Sequence, residues 1–257
     1  MKVLVCIKQI LDPDTPLKID EATGWVRAEK SPVYRMNHFD EYALEEALRI
    51  RDAIAGTIVD VVSVGPERTL SVLRRALEVG ADNSLLLAVG DDRYLTPYET
   101  ATAIASHARS LAYDLILTGI VAEDDLQGQT GPILGALLGV PYATSVIAET
   151  IAPDCRTIQV VQEREEGRQA SLILTLPALV TVQSGINRPR YPVLSHVMRA
   201  RSREIPRIMM DESMIRPREN MLSISIPTLL KKGMMLEGNG RQKAEKFLEI
   251  CHEKGLL

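Results

Sequence analysis

Aromatic residues and cysteines are scarce in this 257-residue chain, and long apolar runs are missing. Phe, Trp and Tyr make up 4% of the sequence, which argues against the stacking platforms that bind single-stranded nucleic acid. The three cysteines are widely separated and form no Cys-x-x-Cys motif, so neither a disulfide framework nor a zinc site is expected. No stretch approaches the ~20 apolar residues that span a bilayer. These absences favour a protein of a reducing, cytoplasmic compartment without direct membrane insertion.

The charge balance and the histidines argue against nucleic-acid binding and metal binding. The formal net charge is −4, so no global attraction to nucleic acid is expected. The four histidines show no ligand spacing, and we expect no metal site. Hydrophobic residues at 46% and charged residues at 25% are ordinary for a globular protein. The short apolar run at the start soon meets an acid and a proline, which indicates a first β-strand rather than a signal peptide.

Strand-like and helix-like segments alternate along the first 140 residues. Apolar runs at 2–7, 58–65, 84–89 and 114–119 predict strands buried on both faces of a parallel sheet. The alternation predicts an α/β fold with a doubly wound, mostly parallel sheet of the Rossmann-like kind. Helical spacing, with glycine or proline at several ends, predicts helices over 39–54 (with Asn37 as cap), 67–79, 96–111 and 129–138.

The pattern changes after Pro141. Three strand-like runs, separated by turns at Pro153–Asp154 and Glu166–Gly167, predict an antiparallel addition to the sheet. They lead into a last core strand at 178–183. Near the start of the chain, Thr23–Gly24 predicts a hairpin turn.

Two regions are expected in the chain. Residues 1–206 would form the nucleotide-binding α/β domain. Residues 207–257 are rich in Met, Arg, Lys and Pro and lack the apolar density for a core of their own. This C-terminal arm is therefore expected either to be disordered or to lie along another protein.

The segment from Gly119 to Pro132 carries the clearest sign of a ligand site. It follows a predicted strand and opens a helix, at the sheet edge where open α/β folds bind ligands. Gly128 and Gly131 let the backbone approach a ligand, and Thr130 is a candidate helix cap. Free N–H groups at the helix start favour a phosphate.

The same loop lacks the residues of a nucleotide-hydrolysing site. The chain has no GxGxxG and no GxxxxGK[ST], and the loop has no Lys or Arg. Glu123, Asp124 and Asp125 would repel a triphosphate unless a metal intervened. One or two phosphates, with an acid on the ribose hydroxyls, fit the loop better than a triphosphate does. The loop therefore favours holding a nucleotide over hydrolysing it, and a capped turn with solvated acids stays the alternative.

No catalytic residue is predicted. The serines lie outside a GxSxG elbow, and Cys6 lies in an apolar strand typical of a core residue. His38 could face a cofactor, but a lone loop histidine is more often structural. Asp40 and Glu41, at the start of the same helix, are interpreted as acids that favour the helix dipole.

Several segments together resemble the β subunit of electron-transferring flavoproteins. The likeness covers roughly residues 1–206 and is most specific between Asn187 and Ala200. The segments are KVLVCIKQI at the start, Met36–Asp40 with Ala43–Leu48, Ser63–Pro66 with residues 73–82, the Gly119–Pro132 loop, Leu176–Thr181, Asn187–Tyr191, Leu194 and His196–Ala200.

This resemblance implies a heterodimer. In the family an α subunit carries the redox-active FAD, and in most members the β subunit holds a buried AMP. Gln129 and Thr130 match the phosphate-binding positions, and Phe39 matches a residue that approaches the partner's flavin. The cofactor-binding positions carried over to this chain are Cys6, Asn37, Phe39, Asp40, Val64, Gly119, Ala122, Asp124, Asp125, Gly128, Gln129 and Thr130.

The resemblance also implies a docking loop and an electron-carrier role. Leu194 matches the apolar anchor that docks into acyl-CoA dehydrogenase-type flavoenzymes, and Arg190, Tyr191 and Arg199 accompany it. The basic residues at 199, 201 and 203 could steer acidic partners, or could be solvated arginines near a chain exit. Electrons would pass on to a quinone-linked oxidoreductase, so the chain would be a carrier subunit rather than an enzyme. The arm after Pro206 would wrap on the α subunit.

Four positions depart from the family pattern and keep an alternative open. Ile120–Val121 replaces a common Lys-Gln, and Gly128 replaces an Asn that contacts phosphate. Asp40 stands where many AMP-holding members have Cys, whereas members that bifurcate electrons from NADH often carry Asp and hold a second FAD. The Asp124–Asp125 pair with Gln129–Gly131 is closer to the AMP form. After the electron carrier and the bifurcating protein, the third hypothesis is a stand-alone nucleotide sensor or an ATP-using relative. The SGGxDS loop of such ATP-users is absent from the sequence.

Overall fold

A nine-stranded sheet forms the centre of the computed structural model, which describes residues 1–20, 25–90, 93–211, 213, 216–219, 221–226 and 233–256. The strands are β1 (Lys2–Cys6), β2 (Gln9–Leu11), β3 (Leu17–Asp20), β4 (Trp25–Ala28), β5 (Tyr34–Met36), β6 (Ile58–Gly65), β7 (Asn83–Ala88), β8 (Leu115–Gly119), β9 (Tyr142–Ile151), β10 (Thr157–Glu163), β11 (Gln169–Thr175), β12 (Ala178–Val182) and β13 (Arg207–Met209). The α-helices are α1 (His38–Ala53), α2 (Leu70–Val79), α3 (Pro97–Ala108), α4 (Thr130–Leu138), α5 (Leu194–Ser202) and α6 (Gly240–Glu253).

Apolar side chains cover both faces of the sheet, as the predicted doubly wound fold requires. Val3 and Val5 of β1 belong to a core shared with α1 and α2. Leu4 and Cys6, which alternate with them, pack in a second core with α3 and α4. Because successive side chains of a strand point to opposite faces, one continuous apolar run supplies both cores. The predicted α/β class is confirmed.

The order of the strands creates a crevice between β1 and β8. The sheet runs β11-β10-β9-β12-β8-β1-β6-β7-β13. From β1 the chain winds outward through β6 and β7, and then returns to the other side of β1 to form β8 and β12. The pairings β1–β6, β1–β8 and β8–β12 are parallel. Ligands of open α/β folds bind outside the carboxyl ends of the strands where the winding direction reverses.

The predicted antiparallel addition is also confirmed. β10 pairs antiparallel with β9 on one side and with β11 on the other. β9 joins the core through parallel pairing with β12. A further strand, β13, pairs parallel with β7 at the other edge. Thr23–Gly24 lies outside the described residues, and the flanking strands β3 and β4 pair antiparallel.

Of the two predicted helix caps, the position of Asn37 is confirmed and that of Thr130 is wrong. Asn37 occupies the cap position of α1 but forms no side-chain cap bond, because its side chain is used elsewhere. Thr130 is the first residue of α4 rather than its cap, and Gln129 at the cap position makes no side-chain bond either. In contrast, Thr96 forms a reciprocal capping box with Glu99 at α3. The glycine stops at Gly80 and Gly139 are confirmed.

The chain divides into two units, Met1–Ile224 and Ser225–Leu257. The second unit contains α6, which Asn239 and Gln242 begin with a capping box. Throughout the described ranges, no helix is long and apolar enough to cross a membrane. The three cysteines are unpaired thiols.

Candidate nucleotide site

The Gly119–Pro132 loop starts at the last residue of β8 and runs into the first turn of α4, at the carboxyl edge of the sheet. A cleft of about 920 Å³ opens there, within the range of small-molecule sites. Of the twelve predicted cofactor-binding residues, Phe39 does not line this cleft. The eleven that do are Cys6, Asn37, Asp40, Val64, Gly119, Ala122, Asp124, Asp125, Gly128, Gln129 and Thr130.

Asp40 joins the ends of the two strands that flank the crevice. Its buried carboxylate accepts the backbone N–H of Lys8 at 2.7 Å through Oδ2 and that of Gly119 at 3.0 Å through Oδ1. Burial raises the pKa of Asp40 to about 7, against the lowering effect of these N–H donors. The interpretation of Asp40 as a helix-dipole acid therefore misses its main contacts. Its carboxylate fixes the spacing of β1 and β8 beneath the cleft.

The negative charges of the loop are neutralised by cations from other elements. Lys8 Nζ lies 2.7 Å from Asp124 Oδ1 and 2.9 Å from Asp125 Oδ2. Burial lowers the pKa of Lys8, but the two aspartates outweigh burial and the net pKa is raised. Arg35 Nη2 lies 3.0 Å from Glu123 Oε2. Lys8 and Arg35 therefore reduce the repulsion that these acids were expected to exert on a nucleotide phosphate. Among the described residues, no cluster of three potential metal-binding side chains occurs.

Asn37 ties the start of α1 to the loop. Its Nδ2 donates to the carbonyl of Val121 at 3.0 Å, and its Oδ1 accepts the N–H of Glu123 at 3.1 Å. Glu123 in turn accepts the N–H of His38 at 3.0 Å. The loop is thus held from both sides, which explains why Asn37 is not available as a helix cap.

The opening of α4 presents unpaired donors to the cleft. Gly128 has a φ of +63°, a left-handed conformation that favours glycine. No side chain caps α4, so its first N–H groups stay available for an anion. A Cβ on Gly131 would lie 2.5 Å from Thr181 Cγ2, so a side chain there would push α4 away from β12.

Three residues that line the cleft were not predicted from the sequence: Lys8, Trp25 and Tyr94. Trp25 and Tyr94 stack with ring centroids 4.2 Å apart, and the Tyr94 hydroxyl accepts a hydrogen bond from Gln127 in the loop. These rings form one wall of the cleft. Lys8 could have been found from its place directly after β1, whereas the pairing of two aromatic residues that lie far apart in the sequence carries no local signal.

Gly119→Ala should prevent the cleft from holding a nucleotide and should destabilise the first unit by about 2 kcal/mol. The added Cβ would lie 2.7 Å from Phe39 Cβ and would also collide with the Asp40 carboxylate. Gly240→Ala is the matched control, because no atom lies within 4 Å of its added Cβ. Nucleotide content after gel filtration and the midpoint of urea unfolding measure the two effects. Normal nucleotide content in the Gly119→Ala protein would show that the close packing at Gly119 is not needed.

The predicted docking residues lie on or before α5, away from the cleft. Tyr191 and Leu194 are 89% and 75% exposed, and Met198 of α5, which was not among the predicted residues, is 65% exposed. Arg199 is also exposed and donates to the carbonyl of Ser195 in its own helix. Arg190 differs, because its guanidinium points inward to Glu45 on α1.

Beside the same segment, two carboxyl groups face each other between α1 and β9. Glu46 accepts Asn187 Nδ2 at 2.7 Å and pairs with Arg49 at 3.1 Å. The facing carboxyl belongs to Glu149, whose Oε2 has no hydrogen-bond partner among the described residues. Burial and then the nearby Glu46 charge raise the pKa of Glu149 to about 7, against the lowering effect of Arg49.

This acid pair predicts a pH-dependent stability. Between pH 4.5 and about 7 the folded protein holds a proton on Glu149 that the unfolded chain releases. The free energy of unfolding should therefore fall as pH rises through this window, by on the order of 2 kcal/mol. Glu149→Gln should remove its share of this fall and leave the share of Asp40, whose pKa is also raised to about 7, whereas Glu163→Gln, at an exposed acid on β10, should retain the whole fall. Urea unfolding at a pH near 5 and again near 8 tests this, and an equal pH dependence in all three proteins would contradict it.

Fold and site together define an open-sheet α/β protein with a cleft at the carboxyl ends of its parallel strands. A family model described as "Electron transfer flavoprotein domain" matches residues 24–213. The chain belongs to the electron transfer flavoprotein family, as the resemblance implied.

The relatives named in this comparison are β subunits. An "Electron transfer flavoprotein subunit beta" of Bacillus subtilis is 30% identical, with 99% of this chain and 98% of the relative covered. One of Megasphaera elsdenii is 37% identical over 81% of this chain and 78% of the relative. A mitochondrial β subunit of Oryza sativa subsp. indica is 33% identical over 92% of this chain and 93% of the relative.

Proposed function

We propose that this chain is the β subunit of a heterodimeric electron-transferring flavoprotein and that it holds AMP in the cleft between β1 and β8. The observation that carries the nucleotide proposal is the uncapped start of α4, which faces a loop whose acids are already paired. Phosphate would lie against the N–H groups of α4 near Gln129 and Thr130. Lys8 and Arg35, the cations that reach the loop, are already paired with its acids, so AMP would be retained as a structural ligand.

Electron transfer itself would belong to the complex. An α subunit would bind FAD, which supplies the redox chemistry, and residues 207–257 would form the arm that packs on that subunit. The docking surface, defined as Tyr191, Leu194, Met198 and Arg199, would receive acyl-CoA dehydrogenase-type flavoenzymes. Electrons would then pass to a quinone-linked oxidoreductase. The chain would act in the cytoplasm as a carrier subunit without catalytic residues of its own.

A second candidate is an NADH-oxidising, electron-bifurcating flavoprotein with a second FAD in this subunit. Two observations favour it. The cleft volume of about 920 Å³ lies near the upper end of small-molecule sites and leaves space for a dinucleotide. Asp40 at the cleft floor is the residue type that bifurcating members often carry. The loop acids with Gln129–Gly131 favour AMP, which we therefore place first.

Nucleotide content distinguishes the two candidates. The chain would be purified together with its α subunit, denatured, and the released FAD and AMP quantified. One FAD and one AMP per heterodimer would support the carrier. Two FAD per heterodimer, with flavin reduction by NADH, would reject the carrier and support the bifurcating flavoprotein. A nucleotide-bound chain that does not associate with an α subunit would contradict both.

A further inference from the structure

The segment before α5 is fastened to α1 by buried acids. Asn187 Nδ2 donates to the Tyr42 carbonyl at 2.9 Å and to Glu46 Oε2 at 2.7 Å. Arg190 makes a two-pronged contact, with Nε 2.8 Å from Glu45 Oε2 and Nη2 3.0 Å from Glu45 Oε1. The backbone N–H of Arg190 also donates to Glu45 at 3.1 Å. One carboxylate therefore holds both the side chain and the backbone of this residue.

Burial makes this contact difficult to replace. The Glu45 side chain is 7% exposed, whereas Asp52, the second partner of Arg190, is 52% exposed. Bidentate pairing of a guanidinium with a carboxylate fixes geometry as well as charge, and removing one member of a buried pair leaves the other uncompensated. The Arg190 guanidinium is therefore committed to α1 rather than directed toward an approaching protein.

A second fastening holds the other end of α5. Arg74 of α2 donates to the carbonyls of Ala200, Arg201 and Arg203, the last two at 3.4 and 3.2 Å. A cation at these carbonyls also suits the negative end of the helix dipole. The exposed side chains of α5 thus project from a helix that is fixed at both ends to the same face of the sheet.

We infer that Glu45 is a positioning residue for docking: through Arg190 it holds the segment that presents Leu194 to the electron-donating partner. The inference rests on the proposed docking function. A helix ordered before contact avoids the entropy that partner binding would otherwise have to overcome. Loss of the pairing should therefore weaken recognition while leaving the flavin and its chemistry unchanged.

The test uses the intact heterodimer with Glu45→Gln. Hydrogen–deuterium exchange should become at least about fivefold faster in residues 187–200, with the exchange of β1 and β8 unchanged. With an acyl-CoA dehydrogenase reduced by acyl-CoA, the KM for the flavoprotein should rise about tenfold and kcat should change less than about twofold. Asp52→Asn, which removes only the exposed partner of Arg190, should leave both readouts close to those of the wild type. If Glu45→Gln fails to fold, Arg190→Lys takes its place, because lysine loses the two-pronged contact and retains the charge. The same faster exchange and higher KM are then expected.

The double variant Glu45→Gln with Arg190→Gln separates positioning from direct contact. If Glu45 acts mainly through Arg190, the rise in KM of the double variant should be clearly smaller than the product of the rises in the two single variants. If instead Arg190→Gln raises KM and Glu45→Gln leaves both KM and exchange unchanged, Arg190 touches the partner directly and the inference is wrong.

Failure of the docking function would look different. In that case Leu194→Ala would also leave KM unchanged, while Glu45→Gln would still accelerate exchange in residues 187–200. The inference alone fails if Leu194→Ala raises KM and Glu45→Gln changes neither exchange nor KM.

Discussion

Asp40→Asn should lower the nucleotide content of the purified heterodimer about tenfold or more. The Asp40 carboxylate uses both oxygens to accept backbone N–H groups from the two strands that border the cleft. An asparagine offers only one acceptor oxygen. Its amide NH₂ group would therefore face the N–H of either Lys8 or Gly119, and two hydrogen-bond donors would point at each other. A buried donor without a partner costs about 1–3 kcal/mol. The strand ends should separate, and the loop that follows Gly119 should lose its position.

The control for this variant is Glu41→Gln, which changes the neighbouring acid at the start of α1. Glu41 contacts His38 at 3.3 Å and is partly exposed, and it does not line the cleft. Released nucleotide is quantified after denaturation, and the midpoint of thermal unfolding is recorded for each protein. Because burial raises the pKa of Asp40 to about 7, the alternative is that Asp40 is protonated in the folded protein. Full nucleotide content in Asp40→Asn would favour the protonated carboxyl and would show that the ionised form is not needed.

Leu194→Ala should lower kcat/KM for electron uptake from an acyl-CoA dehydrogenase about tenfold or more, which corresponds to about 1.4 kcal/mol. Leu194 is the first residue of α5 and is 75% exposed. A few side chains buried at the centre of an interface carry most of its binding energy, and an exposed Leu194 would become one of them in the complex. Truncation to alanine removes that contact and changes nothing in the nucleotide cleft, so the FAD and AMP content should be unchanged.

Ile173→Ala is the matched control for the docking prediction. Ile173 lies on β11, the outer strand of the antiparallel addition, and is 71% exposed. The two variants lose similar exposed apolar surface at different places, so general effects on solubility cancel. Rapid-mixing kinetics of flavin reduction measures the uptake. Equal rates for wild type and Leu194→Ala would show that α5 is not the docking element.

Much of the fold could be predicted because its signals are local. A continuous apolar run such as residues 2–7 indicates a strand buried on both faces, and β1 supplies both cores. Gly80 and Gly139 mark helix ends because glycine tolerates the backbone conformation found there. The caps were less predictable, since Asn37 has the right type and place for a cap but uses its hydrogen bonds on Val121 and Glu123.

The amino-acid sequence by itself determined the alternation of strands and helices, the glycine-containing loop after β8 and the acidic, lysine-free chemistry of that loop. Only the tertiary structure decided that the loop acids are already neutralised, because Lys8 and Asp124 are 116 positions apart and meet only where β1 lies beside β8. It likewise directed Arg190 inward to Glu45 and left Leu194 exposed. Such pairings depend on the order in which the strands assemble, and this order is set by the packing of the whole sheet rather than by neighbouring residues.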